Sequence, residues 1–291
     1  MLYLLCSVFT NALKGYSTKK ISGDVVSFSD NVIINIYRNV LCVVIGFFYL
    51  LIFGGNLGIS ALQLLTTAVA GVSMAVFLMS WLYSVKSGAY MMVSAFTSGS
   101  FIVPFVYALI FMDEKLSRQK ITACLVMCAA MYLLCCYNNK IKTKLSVKSV
   151  AVLILISLSY GASQTAQKIY NLQTDSQNTT AFTFYMFVFA SAALVLLSAF
   201  SGRGEKGKFK FLKNKRVVIY ASVAAAALFF TTYFQTVAAK SMDATVLYPL
   251  SNGLTLVAGT LMSVFFFGEK MKKESAVGIV LVFAALILYN L

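Results

Sequence analysis

The chain has 291 residues, 60% of them apolar and only 11% charged, with a mean hydropathy of +0.84. A soluble domain of this length needs roughly 25% charged residues to cover its surface, so the composition excludes one and points to an all-α integral membrane protein. The net charge of +15 does not mark a nucleic-acid binder, because the Lys and Arg residues sit in short clusters between apolar runs, where they face anionic lipid and set orientation.

A bilayer core needs roughly 20 helical residues to cross it, and backbone groups without partners cannot face lipid. Ten apolar runs read as spans on this basis. The first, Leu2 to Gly15, is short; it lacks the basic start and small-residue cleavage site of a removable signal and reads as a retained helix carrying Ser7, Thr10, Asn11 and Lys14. The second runs from Val32 to Phe53. The third, Ala61 to Tyr83, offers Gln63, Thr66, Thr67, Ser73 and Ser80 with the sole tryptophan, Trp81, and Ser84 just beyond. The fourth, Ala89 to Met112, offers Tyr90, Ser94, Thr97 and Ser98; the fifth is Ile121 to Tyr137.

The sixth span, Val147 to Tyr170, has the clearest polar stripe. Ser157, Tyr160, Gly161, Gln164, Gln167 and Lys168 recur at spacings of three and four and share a helix face. The seventh, Ala181 to Phe200, contains Tyr185, and the eighth, Val217 to Ala239, contains Thr231, Thr232 and Gln235. The ninth, Ala244 to Phe267, carries Thr245, Tyr248, Asn252, Thr255 and Gly259 on one face, with Pro249 beside them as a candidate hinge, since proline frees a backbone carbonyl where a helix lines a cavity. The tenth is Ala276 to Tyr289. Six cysteines, Cys6, Cys42, Cys124, Cys128, Cys135 and Cys136, lie inside apolar runs of a chain without histidine and read as packing rather than as disulfides or metal ligands.

Ten spans place both termini on one side. The connections after spans 1, 3, 5, 7 and 9, with their helix ends, hold 18 of the 24 basic residues against five in the other set, with Lys14 counted in neither. That bias puts the first set in the cytoplasm and both termini outside it.

A shift of 155 residues superimposes Phe111, Met112, Asp113, Glu114 and Lys115 on Phe266, Phe267, Gly268, Glu269 and Lys270, and Ala129, Ala130 and Leu133 on Ala284, Ala285 and Leu288. Two five-helix repeats follow, residues 1–139 and 145–291. An odd number of helices per repeat makes the second enter the membrane from the opposite side, so the repeats are inverted and form one transport unit. An aromatic-rich fourth helix, an acidic-Lys turn and a closing fifth helix with Gly278 resemble the drug/metabolite transporter superfamily, in its ten-helix EamA-like branch. That resemblance implies a central cavity lined mainly by helices 1, 3, 4, 6, 8 and 9, and alternating access.

The nine acids, Asp24, Asp30, Asp113, Glu114, Asp175, Glu205, Asp243, Glu269 and Glu274, fall in connections or at helix ends. A proton-coupled cation exporter calls for a carboxylate near the bilayer centre, and none is placed there. Glu114 and Glu269 are expected to cap the helices that follow them. No nucleophile, base or metal-ligand set suggests an enzyme, and no cofactor is expected.

The cavity candidates are therefore Asn11, Lys14, Gln63, Trp81, Tyr90, Ser94, Gln164, Gln167, Lys168, Tyr185, Gln235, Tyr248 and Asn252. Plainer roles stand beside them: hydroxyls that bond to their own backbone, aromatic anchors such as Tyr3, Tyr137 and Tyr289, and lysines that snorkel. Amides and hydroxyls suit export of a small polar metabolite, an amino acid or a nucleobase-like solute, and a monomer is compatible with this reading. Two readings compete with it: aromatic capture of an organic cation by Tyr90, Tyr185, Tyr248 and Trp81, and a channel or structural membrane protein.

Overall fold

The structure is a computed structural model that describes residues 1–25, 27–53, 56–87, 90–112, 114, 117–135, 147–173, 178–201, 214–267, 271 and 273–290. The described residues form α-helices and two 3-10 turns. The helices are α1 (Leu2–Ile21), α2 (Phe28–Phe53), α3 (Ala61–Ser87), α4 (Tyr90–Ser98), α5 (Ile102–Phe111), α6 (Arg118–Cys135), α7 (Val147–Leu172), α8 (Thr179–Ser201), α9 (Lys215–Ser241), α10 (Ala244–Phe267) and α11 (Lys273–Asn290). Six of them, α2, α3 and α7 to α10, are long and apolar enough to cross a membrane among the described residues. The chain is a multi-pass membrane protein.

Local chemistry explains several helix starts. At α2, the Ser27 amide donates to the Asp30 carboxylate at 2.9 Å and the Asp30 amide to the Ser27 hydroxyl at 3.1 Å, a reciprocal cap that begins the helix four residues before the expected Val32. Asn178 and Asn214 accept from the first turns of α8 and α9. α1 continues past the expected Gly15 to Ile21, because polar Ser17 and Thr18 are buried against neighbouring helices rather than facing water.

The expected fourth span is divided. α4 ends at Ser98, Gly99–Phe101 form a 3-10 turn, and α5 resumes at Ile102. The expected interruption at Pro249 does not divide its helix, since α10 runs as α-helix from Ala244 to Phe267 with the proline inside it.

The broadest helix pairings are α1 with α9, α3 with α7, α6 with α11, and α2 with α8, followed by α3 with α8 and α1 with α10. These pairings enclose two apolar cores. One joins α2, α3, α7, α8 and α9 through Phe77, Trp81, Tyr160, Phe187 and Phe229; the other joins α1, α5, α6, α10 and α11 through Leu4, Ala108, Met127, Leu250 and Val282. Outward faces remain apolar, as at Leu51, Ile52, Ile110 and Leu125, which suits lipid contact. Two glycines allow close helix approach: a Cβ on Gly71 would lie 2.7 Å from Phe189 Cβ, and one on Gly161 would lie 2.6 Å from the Ser100 carbonyl oxygen and from Val103 Cβ.

Candidate functional site

The polar centre is built from α7, α10 and the break between α4 and α5. Gln164 of α7 donates to the Asn252 side-chain oxygen at 3.1 Å and accepts from Ser100 Oγ at 3.2 Å. Asn252 of α10 donates to the Ser98 carbonyl at 3.0 Å and to Ser100 Oγ at 3.1 Å, while the Ser98 hydroxyl donates to the Asn252 carbonyl at 3.1 Å. The Ser98 carbonyl lies at the junction of α4 and the 3-10 turn, where its second lone pair takes an amide from the facing helix.

One turn along, the Tyr248 hydroxyl donates to the Gln164 carbonyl at 2.7 Å and to Gln167 Oε1 at 3.3 Å. Gln167 in turn donates to Thr236 Oγ1 at 2.7 Å and to the Thr232 carbonyl at 3.4 Å, tying α9 into the set. All these residues are buried. A buried amide left without partners is costly, so this closed circuit fixes the spacing of α4, α7, α9 and α10.

Two small cavities adjoin the circuit, about 10 and about 40 Å³ in volume. Lys14, Gln164, Gln167 and Gln235 line the smaller with Tyr160, Thr231 and Thr232; Asn11, Lys14, Phe77, Trp81, Ser94 and Thr255 line part of the larger. Both are far below the roughly 300 Å³ of a small-molecule pocket. Lys14 borders both, its ammonium 5.7 Å from the centre of the Phe77 ring and 5.9 Å from that of Tyr160. Asn11 reaches Thr255 at 3.3 Å, and Gln235 reaches Ser251 at 3.4 Å.

The thirteen candidates thus separate. Asn11, Lys14, Trp81, Ser94, Gln164, Gln167 and Gln235 border the cavities, and Tyr248 and Asn252 brace the circuit between them. Three stand elsewhere. Gln63 accepts from the Ser60 amide at 2.8 Å while its own amide donates to Ser60 Oγ at 3.3 Å, a capping box at the start of α3. Tyr185 donates to the Leu57 carbonyl at 3.0 Å and holds the connection before α3.

Lys168 donates to the Ala239 and Met242 carbonyls at 3.2 and 2.7 Å, closing the C-terminus of α9, and lies 3.9 Å from Glu114. Glu114 itself accepts from the Ala244 and Thr245 amides at 2.8 and 3.0 Å. It therefore caps α10, and not the following helix as expected, and the two charges match the dipole ends of the α9–α10 corner. The side chain of Tyr90, and Glu269, lie outside the described residues.

A polar ladder on α2 was not anticipated. Asn31 donates to the Met79 carbonyl at 3.0 Å, Asn35 to Asn31 Oδ1 at 2.7 Å, Arg38 to Asn35 Oδ1 at 3.2 Å and Asn39 to the Asn35 carbonyl at 2.7 Å. Arg38 is 1% exposed and lies eleven residues into α2. The orientation count treated it as a charge beside a connection; with Arg38 inside a span the basic residues divide 17 to 5. The spacing of Asn31, Asn35, Arg38 and Asn39 was the signal available in the sequence, since it repeats on one helix face.

The model of the EamA-like transporter family matches residues 147–291. A crystal structure of a protein superposes with a TM-score of 0.71 at 11% identity, covering 99% of this chain and 94% of that chain, a likeness of fold alone. No curated protein matches the sequence.

Proposed function

Residues 147–291 place the chain in the EamA-like transporter family, and from that premise we propose that it exports a small polar metabolite, an amino acid or a nucleobase-like solute, by alternating access. The observation that carries this reading is the circuit of Gln164, Asn252, Ser98 and Ser100, which joins helices of both halves of the chain around buried amides next to the cavities. Intramembrane polar groups of this kind are costly unless they meet a partner or a solute.

In this reading ten spans form two inverted five-helix repeats, residues 1–139 and 145–291, with α4 and α5 counted as one span. The helix pairings support it. Exchanging each span with its mate turns α1 on α9 into α7 on α3, and α1 on α10 into α7 on α4 and α5, while α2 on α8 and α6 on α11 map onto themselves; all of these pairings occur. Both termini lie outside the cytoplasm of a cell membrane, as the 17 to 5 distribution favours. The α9–α10 corner held by Glu114 and Lys168 then faces outward, and the conformation is closed on that side. The chain works as a monomer.

Capture of an organic cation has less support, because the faces of Phe77 and Tyr160 already meet the protein's own Lys14 ammonium. The test is uptake into proteoliposomes across a panel of amino acids and nucleobases. Gln164→Ala with Gln167→Ala is expected to lower uptake about tenfold or more while the protein stays inserted and folded, on the scale of one or two lost polar contacts. Uptake of no panel member by the wild-type protein, or full uptake by the double variant, would remove the assignment.

A further inference from the structure

We propose that Lys14 forms an anion-binding pole in the transport site, supplemented by the charge of the buried Arg38 of α2, and that the solute is a small carboxylate of net negative charge. The proposal rests on the transporter reading and, among small polar metabolites, replaces the zwitterionic amino acid and the nucleobase with an anionic solute.

Both cations are buried, Lys14 at 7% and Arg38 at 1% exposure. Ionisable side chains inside a membrane protein carry a high cost and normally have a counter-charge. Here the described acids are all elsewhere: Asp24 and Asp30 at the start of α2 and in the turn before it, Glu114 on the first turn of α10, Asp243 on Lys120, and Glu274 in the first turn of α11. None lines either cavity.

Each cation also keeps donors in hand. Among the described residues the Lys14 ammonium makes no hydrogen bond or ion pair; it rests against two ring faces, which attract a cation without engaging its N–H groups. It borders both cavities, so an acceptor arriving from either meets it. Arg38 is held in place by Asn35, whose own amide is anchored on Asn31, and its Nε is buried without a partner. A guanidinium aimed by a three-residue ladder and left one donor short keeps the region positive and acts through its charge on whatever Lys14 contacts.

The rest of the lining fits the remainder of such a solute. Gln164, Gln167, Gln235 and Asn11 offer amides to a hydroxyl or carbonyl, and Phe77 and Trp81 flank a short apolar body. A solute ammonium would find no carboxylate among the described lining residues and would face two like charges.

The full chain is purified and reconstituted, and two measurements are made with lactate, its neutral isostere lactamide, zwitterionic alanine, cationic choline and chloride: protection against thermal unfolding, and uptake into vesicles. Lactate is expected to protect at about tenfold lower concentration, or less, than lactamide, alanine or choline, as a charge-assisted hydrogen bond requires. Lys14→Met should abolish this preference and Lys14→Arg should keep it. Arg38→Gln should lower the preference and Arg38→Lys should restore it, whereas a purely structural Arg38 would alter stability and leave the order of solutes unchanged.

Preference for lactamide, alanine or choline in the wild-type protein overturns the proposal, and so does a preference that survives Lys14→Met. Protection by chloride equal to that by lactate overturns the assignment to a solute carboxylate, in favour of an inorganic anion. If Lys14→Met does not fold, the wild-type order alone decides. Lactate that protects yet never enters vesicles upholds the anion pole and removes the transporter reading instead.

Discussion

In the proposed repeat the break between α4 and α5 corresponds to part of α10, yet α10, with Pro249 inside it, is continuous. Pro249 lies in the sixth position of α10, where one freed carbonyl near the helix start is tolerated. Gly99–Phe101 adopt the tighter turn one turn before Pro104, whose missing N–H and ring act on the Ser100 carbonyl four residues back. The difference follows from what faces each segment. Asn252 donates to the Ser98 carbonyl at the start of the 3-10 turn, and Gly161 admits the Ser100 carbonyl against α7. A facing amide and a missing Cβ, both distant in sequence, stabilise the break that Pro104 favours locally.

If that account is right, Asn252→Leu has the largest effect. It strands the Gln164 amide and takes the Asn252 donor from the Ser98 carbonyl and from Ser100 Oγ, at about 1–3 kcal/mol for a buried group left unpaired. Thermal unfolding of the purified protein should shift down by several degrees and uptake should be lost. An unfolding temperature equal to wild type would mean that the circuit does not hold the break.

Glycine substitutions sharpen the comparison at intermediate size. Gly161→Ala places a methyl 2.6 Å from the Ser100 carbonyl oxygen and from Val103 Cβ, where backbone must move, and overpacking of this kind costs about 1–3 kcal/mol. Gly253→Ala on the continuous helix meets the end of Met127, a flexible side chain that can turn aside, and costs less than about 1 kcal/mol. Equal unfolding shifts for the two would argue against a close approach specific to the break.

Legibility in the sequence divides along the same line. Helices and the membrane setting were readable because apolar length is a local property, and the stripe on α7 because spacing of three and four is local too. Gln63 was readable as a cap, standing three residues after Ser60, but its polarity alone assigned it to the cavity. Arg38 lay within the expected second span, Val32 to Phe53, but was counted as a helix-end charge; Asn31, which begins the ladder, fell outside that span because the Ser27 and Asp30 cap went unrecognised. Glu114 and Lys168 could not be paired with the α9–α10 corner from sequence, since their partners are backbone groups of other helices. The sequence features named for the repeat are silent on which side chains meet, and Tyr185 and Asn252, similar as polar residues in apolar runs, were indistinguishable until their neighbours were placed.

Pro249→Ala is expected to have the smallest effect on stability and a larger one on rate. Alanine supplies an N–H that can bond to the carbonyl of Thr245, and alanine is the better helix former, but the helix is already continuous and its first turn is held by Glu114 on the Ala244 and Thr245 amides. A change in unfolding free energy within about 1 kcal/mol follows, because the folded state gains one bond in a segment that is already capped. The proline sits next to Tyr248, which ties α10 to Gln164 and Gln167, so any separation of α10 from α7 that opens the cavities bends or tilts α10 near this point. Stiffening the helix there should slow uptake several-fold while the concentration of solute that protects against unfolding stays within about twofold, which is the signature of a slower conformational step and not of weaker binding. Tyr248→Phe, which removes the two hydrogen bonds and leaves the proline, should do the reverse by loosening the site. A Pro249→Ala protein with wild-type uptake would exclude a hinge at this position and leave the break after Ser98 as the flexible element of the pair.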